Sequence, residues 1–168
     1  QNNDRNALMY GAGHGGFEAF YILVFSMISN IVMAVMLNAG MADKLISDVT
    51  DEAKLQTLYT TFVALSGTPS FHFLMGIVER IPAVALHLSL SVLVWFAAKI
   101  GGKSFWLYPL ALFLHSAVNA FAVILSKYVP NMWIIMASIY VLSACCVTIA
   151  LKVWKKYSPR KGISDEKD

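Results

Sequence analysis

The chain has 168 residues, of which 58% are hydrophobic and only 14% charged, with a mean hydropathy of +0.62. A soluble domain is nearer half apolar and a quarter charged, so this composition excludes one and points to a polytopic, all-helical membrane protein. The net charge of +3 is small; the basic residues gather towards the C-terminus, which speaks for membrane orientation and against nucleic acid as a partner.

Residues Gln1 to Asn6 are polar and read as the end of a loop. The chain begins with Gln, and the expectation is that further helices precede it in the full protein. The first helix then starts between Leu8 and Gly16 and runs to Asn38. At its mouth stands Gly11-Ala12-Gly13-His14-Gly15-Gly16-Phe17-Glu18-Ala19. His14 and Glu18 are four residues apart and share a helix face. The glycines clear that face, so another helix or a substrate backbone can approach it. A carboxylate in an apolar span is expensive, so its default reading is functional. The alternative is a Glu that snorkels at the membrane edge beside a glycine-rich loop. Asn30 reads as a hydrogen-bonding group between helices.

Ala39 to Ser70 is a polar connection with four carboxylates and two lysines. Within it, Asp51 to Ala64 has helical spacing after a Thr50/Asp51 cap, and Gly67-Thr68-Pro69 ends it. This short helix is expected at the interface. The second spanning helix covers Phe71 to Lys99 and carries Glu79, Arg80, Pro82 and His87. Pro82 is expected to kink or divide it. The third covers Phe105 to Lys127 and carries His115 and Asn119. The fourth, Met132 to Trp154, has no ionisable group before Lys152 and is expected only to pack and anchor. Cys145 and Cys146 are adjacent, point about 100° apart, and make a poor disulfide or metal pair. The fold expected is thus an all-α transmembrane bundle with four spanning helices and one short interfacial or loop helix. Its organisation is a core over 1–154 and a basic cytoplasmic tail over 155–168. The tail and the Lys99/Lys103 turn carry the lysine and arginine excess that stays inside.

Three helices therefore each present an inward polar face: His14/Glu18, Arg80/His87 and His115/Asn119. His72 lies apart, near the outer end of the second spanning helix. Glu79 points about 100° from Arg80 and is not expected to pair with it. Arg80 is expected to find Glu18, because an unpaired charge in the membrane costs several kcal/mol. A carboxylate can take a proton from water, imidazoles can share or donate it, and an amide can hydrogen-bond an oxyanion. Glu18, His87, His115 and Asn119 are thus parts for hydrolysing a peptide bond, with His14, Glu79 and Arg80 in support. His14, Glu18, His87 and His115 are also zinc-type ligands, although no HExxH is present. Other readings are structural hydrogen bonding between helices, a transporter that relays protons or binds an ion, and a non-catalytic scaffold.

The combination of Gly-x-Gly-His-Gly-Gly-x-Glu-Ala at 11–19, Glu-Arg-x-x-Ala-x-x-x-His at 79–87 and His-x-x-x-Asn at 115–119 resembles the YhfC-type membrane peptidases. That family is similar to the CAAX prenyl proteases and bacteriocin-processing enzymes, the glutamic intramembrane proteases. The resemblance spans about Gly11 to Leu125. It implies Glu18 as the water-activating base, His87 as its partner, and His115 with Asn119 as the groups that hold water and stabilise the oxyanion. The wider group's first motif has paired glutamates and an arginine on one helix; here there is a single Glu, His14 precedes it, and Arg80 would supply the arginine. Glu79 is the second candidate base. The resemblance implies an integral protein of the bacterial plasma membrane, and the lysine and arginine excess puts its C-terminus in the cytoplasm. Its partners would be the bilayer and a peptide or membrane-protein substrate, and zinc is a candidate cofactor without being required.

Overall fold

A computed structural model describes residues 3–158, and every regular element among them is helical. The order is α1 (Arg5–Asn38), α2 (Ala42–Ser47), α3 (Glu52–Gly67), α4 (Ser70–Ile100), a 3-10 turn (Gly102–Trp106), α5 (Leu107–Tyr128) and α6 (Met132–Tyr157). Four of them, α1, α4, α5 and α6, are long and apolar enough to cross a membrane. The chain forms two compact units, Gln1–Ala19 with Glu79–Asp168, and Phe20–Val78.

The first unit is built around the second half of α4. That stretch is apolar on every side, which suits a helix with neighbours all round. In its most apolar window 56% of residues are buried, against 22% for α6 and 11% for α5. Leu93 and Phe96 are fully enclosed. Around them pack Ala7 of α1, Leu107 and Ala111 of α5, and Cys146 and Ala150 of α6. The small residues among these partners let the helix axes come close, which is how helices associate where lipid offers no hydrophobic drive.

α1 and α4 approach each other closely at two glycines. A Cβ added to Gly15 would stand 2.6 Å from the Cβ of His87. One added to Gly11 would stand 2.8 Å from the Cα of Leu88 and 3.0 Å from Ser91 Oγ. Neither position has room for any side chain. Gly13 and Gly16 meet nothing within 4 Å. Gly11 and Gly15 are one turn apart, so together they make a flat track on α1 along which α4 lies.

A buried carboxylate ties down one end of this unit. Asp4, just before α1, accepts hydrogen bonds from Trp95 Nε1 (3.0 Å) and Lys99 Nζ on α4, and from Ser158 Oγ (2.9 Å) after α6. Burial pushes the Asp4 carboxyl up, but these three donors outweigh it and hold it below the ordinary aspartate value. At the same end Ser104 Oγ donates to Tyr157 Oη across 3.2 Å. The turn into α5 uses Gly101 and Gly102 at φ of 64° and 52°, where a side chain would clash with the backbone. Asn131 caps α6 by accepting from the Trp133 N–H at 2.9 Å.

Phe20–Val78 holds the rest of α1, α2, α3 and the start of α4. Asp51 Oδ1 caps α3 through the N–H groups of Ala53 and Lys54. A Cβ added to Gly76 of α4 would stand 3.5 Å from Leu23 Cδ2 of α1, an ordinary contact. The polar connection also contains α2, a single short helix that lacks enough residues to show periodicity.

Of the kink or division expected at Pro82, the division does not occur: α4 runs unbroken from Ser70 to Ile100. Proline removes only its own N–H, and the buried Ser143 Oγ of α6 donates to the Pro82 carbonyl at 2.8 Å, bracing this turn from outside. The last helix also continues past Trp154 to Tyr157. The remainder of the expected tail, 159–168, lies outside the described residues.

Gly15→Ala should therefore push α1 from α4, at an overpacking cost of about 1–3 kcal/mol. Gly13→Ala should be neutral or stabilise by up to about 1 kcal/mol through helix propensity. Thermal unfolding of both variants in detergent checks this contrast. Asp4→Asn should cost about 1–3 kcal/mol at neutral pH. The Asp4 carboxylate has a lowered folded pKa, so its contribution is present above the unfolded aspartate value and fades as pH falls through the folded one. The gap between Asp4→Asn and the unchanged protein should accordingly close in acid, measured as melting temperature against pH.

Candidate functional site

The glycine track delivers two side chains to α4. His14 and Glu18 sit three residues after Gly11 and Gly15, so they flank the same close contact. Glu18 Oε2 lies 3.0 Å from His87 Nε2. The His14 and His87 rings meet edge to face with centroids 5.0 Å apart. On the other side of His87, the His115 ring is centred 5.1 Å away. His87 is thus the hub: it is buried, while Glu18 and His115 are half-buried and His14 is exposed.

His115 is held in turn by its own helix. Asn119 Nδ2 lies 3.2 Å from His115 Nε2, one turn along α5. With the amide donating, the proton of His115 sits on Nδ1. The second amide hydrogen of Asn119 is then available to another acceptor.

The structure brings Glu18, His87, His115, Asn119 and His14 into one connected cluster. Glu79 and Arg80 are elsewhere on the wall of the same cavity, two helical turns along α4 from His87. Their expected pairing is corrected. Arg80 Nη2 lies 3.7 Å from Glu79 Oε2, while Glu18 meets His87. A 100° offset separates Cβ vectors, but arginine and glutamate are long enough to swing back across it. The pair is loose, beyond hydrogen-bond length. The side chain of His72 lies outside the described residues.

The cavity beside His87 has a volume of about 310 Å³ and lies among α4, α5 and α6, with Glu18 reaching in from α1. Much of its far wall comes from α6, through Ile135, Met136, Ile139 and Ser143. Sequence reasoning gave that helix a packing role only, because it carries no ionisable group there. The available signal was Ser143, a small polar residue that, unlike Ser138 and Thr148 bonded within their own helix, reaches across to Pro82.

A metal ion fits the cluster on chemical grounds. His14, Glu18 and His87 each offer one ligand atom, and these atoms lie within 4.8 Å of one another. Two imidazoles and a carboxylate are a donor set that zinc takes in catalytic sites while keeping a fourth position open. The exposed His14 ring is the least confined of the three.

Known proteins point the same way. The profile of a family described as "YhfC intramembrane metalloprotease" matches residues 1–141. The "Uncharacterized membrane protein YhfC" of Bacillus subtilis (strain 168) is 36% identical over 154 residues, covering 89% of this chain and 58% of that protein. The chain thus spans a little over half the length of that relative. No solved structure matches. With a helical membrane fold, a His/Glu/His cluster and a family match over most of its length, the chain belongs to the YhfC intramembrane metalloprotease family.

Proposed function

We propose that the chain carries the active site of an intramembrane endopeptidase, with a divalent cation, zinc by its donors, held by His14, Glu18 and His87. The observation that carries this reading is the convergence of those three ligand atoms from two helices, two of whose residues, Glu18 and His87, also line the cavity. The family description supports it. When bound, the ion would lower the pKa of a water and polarise a peptide carbonyl.

The residues of the chain have separable tasks. His87, packed against Gly15, fixes where the other groups meet. Glu18, at hydrogen-bond distance from His87, has two carboxylate oxygens, so one can hold the ion while the other receives the proton of the attacking water. Glu18 can return that proton to the leaving amine, while His115, oriented by Asn119 with its proton on Nδ1, can hydrogen-bond the water or the substrate. The remaining amide hydrogen of Asn119 can stabilise the oxyanion. The substrate is a peptide bond in or near the bilayer. Lys99, Lys103, Lys155 and Lys156 stand at the Asp4 end of the first unit, which supports a cytoplasmic position for that end in a bacterial plasma membrane.

A second reading keeps the reaction and omits the metal. It is favoured by the 3.0 Å contact between Glu18 and His87, which is already the geometry of a carboxylate–imidazole pair acting on water. Metal analysis of the purified protein separates the two. The metal reading expects about one zinc per chain, less in His14→Ala, and activity lost to chelators and restored by zinc. Proteolysis that persists with chelator and no metal selects the glutamic reading.

Both readings expect Glu18→Gln to cut turnover by at least about 100-fold, since the amide cannot accept the water proton. Asn119→Ala should cost about 100- to 1000-fold by removing an oxyanion donor. New protein N-termini, compared between cells with and without each variant, provide the assay. Cleavage that survives Glu18→Gln but fails with Glu79→Gln would move the base to Glu79.

A further inference from the structure

We propose that the cavity beside His87 receives an apolar side chain of the substrate, and that the α6 wall of Ile135, Met136 and Ile139 sets how large that side chain is. The inference rests on the protease reading above and names the substrate feature that its site selects.

The cavity and the reacting groups are one space. Glu18, His87 and Asn119 line it at one end, so whatever fills it places a neighbouring backbone at those groups. A volume of about 310 Å³ lies at the small end of the range for specific binding pockets, which are mostly apolar with a few polar groups that orient the occupant. Here nine of the seventeen lining residues are apolar, and the polar ones include Glu18, His87 and Asn119 of the reacting cluster. Leu86 of α4 and Val118 and Ala122 of α5 face Ile135, Met136 and Ile139 of α6.

Charge does not choose the occupant. Glu79 and Arg80 lie on the wall two turns from His87, and they pair with each other at 3.7 Å. A charged side chain of either sign would meet one like and one opposite charge there. It would also lose its hydration among aliphatic neighbours. An aliphatic or aromatic side chain incurs neither cost and buries apolar surface.

The wall that reads size is on α6 because α6 is separate from the chemistry. Leu86 and Val118 are each next in sequence to a residue of the cluster, so changes there disturb His87 or Asn119. The α6 residues adjoin no cluster residue. The helix is nevertheless held in place: Met136 and Ser143 are buried, and Ser143 is bonded to the Pro82 carbonyl. A rigid wall free of chemical duty can discriminate by shape, where one methylene more or less is worth about 10- to 200-fold in a hydrophobic pocket.

The test uses the purified full-length protein on membranes from cells that lack the gene. New N-termini are labelled and identified by mass spectrometry, with Glu18→Gln as the blank. The unchanged protein should cleave at sites that share a large apolar residue at one position relative to the scissile bond. Ile139→Trp fills the cavity. It should cut cleavage at those sites by about 10-fold or more and shift the preference to Ala, Gly or Ser. Met136→Ala enlarges the cavity and should shift the preference towards Phe and Trp. Preferences that stay the same in both variants overturn the pocket while leaving the protease reading intact. A uniform loss over all sites with Ile139→Trp, in a protein that still melts normally, also overturns it. Should that variant fail to fold, the direction of the Met136→Ala shift decides. No cleavage by the unchanged protein above the Glu18→Gln blank overturns the protease reading, and this inference falls with it.

Discussion

Everything at the candidate site depends on how closely α1 can lie against α4. Gly15 touches the Cβ of His87, and Gly11 touches the backbone at Leu88, so the two helices meet main chain against main chain. A contact this tight brings His14 and Glu18, each three residues on from a touching glycine, beside the His87 ring. The same contact buries His87 and so defines which imidazole is central. In a bilayer no hydrophobic force brings helices together, and close van der Waals packing at small residues has to supply the association. Glycines that would weaken a soluble helix therefore create both the fold and the site here.

The polar groups of the first unit show how a membrane bundle manages charge. Each has a partner of a different kind. Asp4 gathers three donors from α4 and the residue after α6, and closes one end of the unit. Glu18 takes His87, an imidazole that can share a proton. Glu79 and Arg80 neutralise each other on the cavity wall. Among the described residues no buried side-chain nitrogen or oxygen lacks a hydrogen-bond partner. Such an arrangement tolerates polar chemistry inside an apolar solvent, because satisfied groups avoid the penalty of unpaired ones.

The family match and the geometry are complementary. The family description names a metalloprotease, and the structure independently offers two imidazoles and a carboxylate in reach of one another. The structure adds the cavity, the tethering of His115 by Asn119, and the contribution of α6. Catalysis, substrate and orientation are readings of that geometry. The relative's greater length means that other segments of the full protein can shape all three.

The four spanning helices were legible in the sequence because hydropathy and length are local properties. The His14/Glu18 and His115/Asn119 faces were legible for the same reason: spacing by four along a 3.6-residue helix sets a shared face without reference to anything else. The Asp51 cap likewise needs only its next few residues. Partner choice was not legible. The expectation that Arg80 would meet Glu18 failed because it depends on the depth and rotation of two helices, which no pattern within either one records. For the same reason the sequence could not say that Gly11 and Gly15 touch α4 while Gly13 and Gly16 do not, that Asp4 binds three distant donors, or that α6 walls the cavity. Periodicity along the chain determined which faces are polar. Only packing between helices, set by where backbones can approach within a side chain's thickness, decided which of those faces meet.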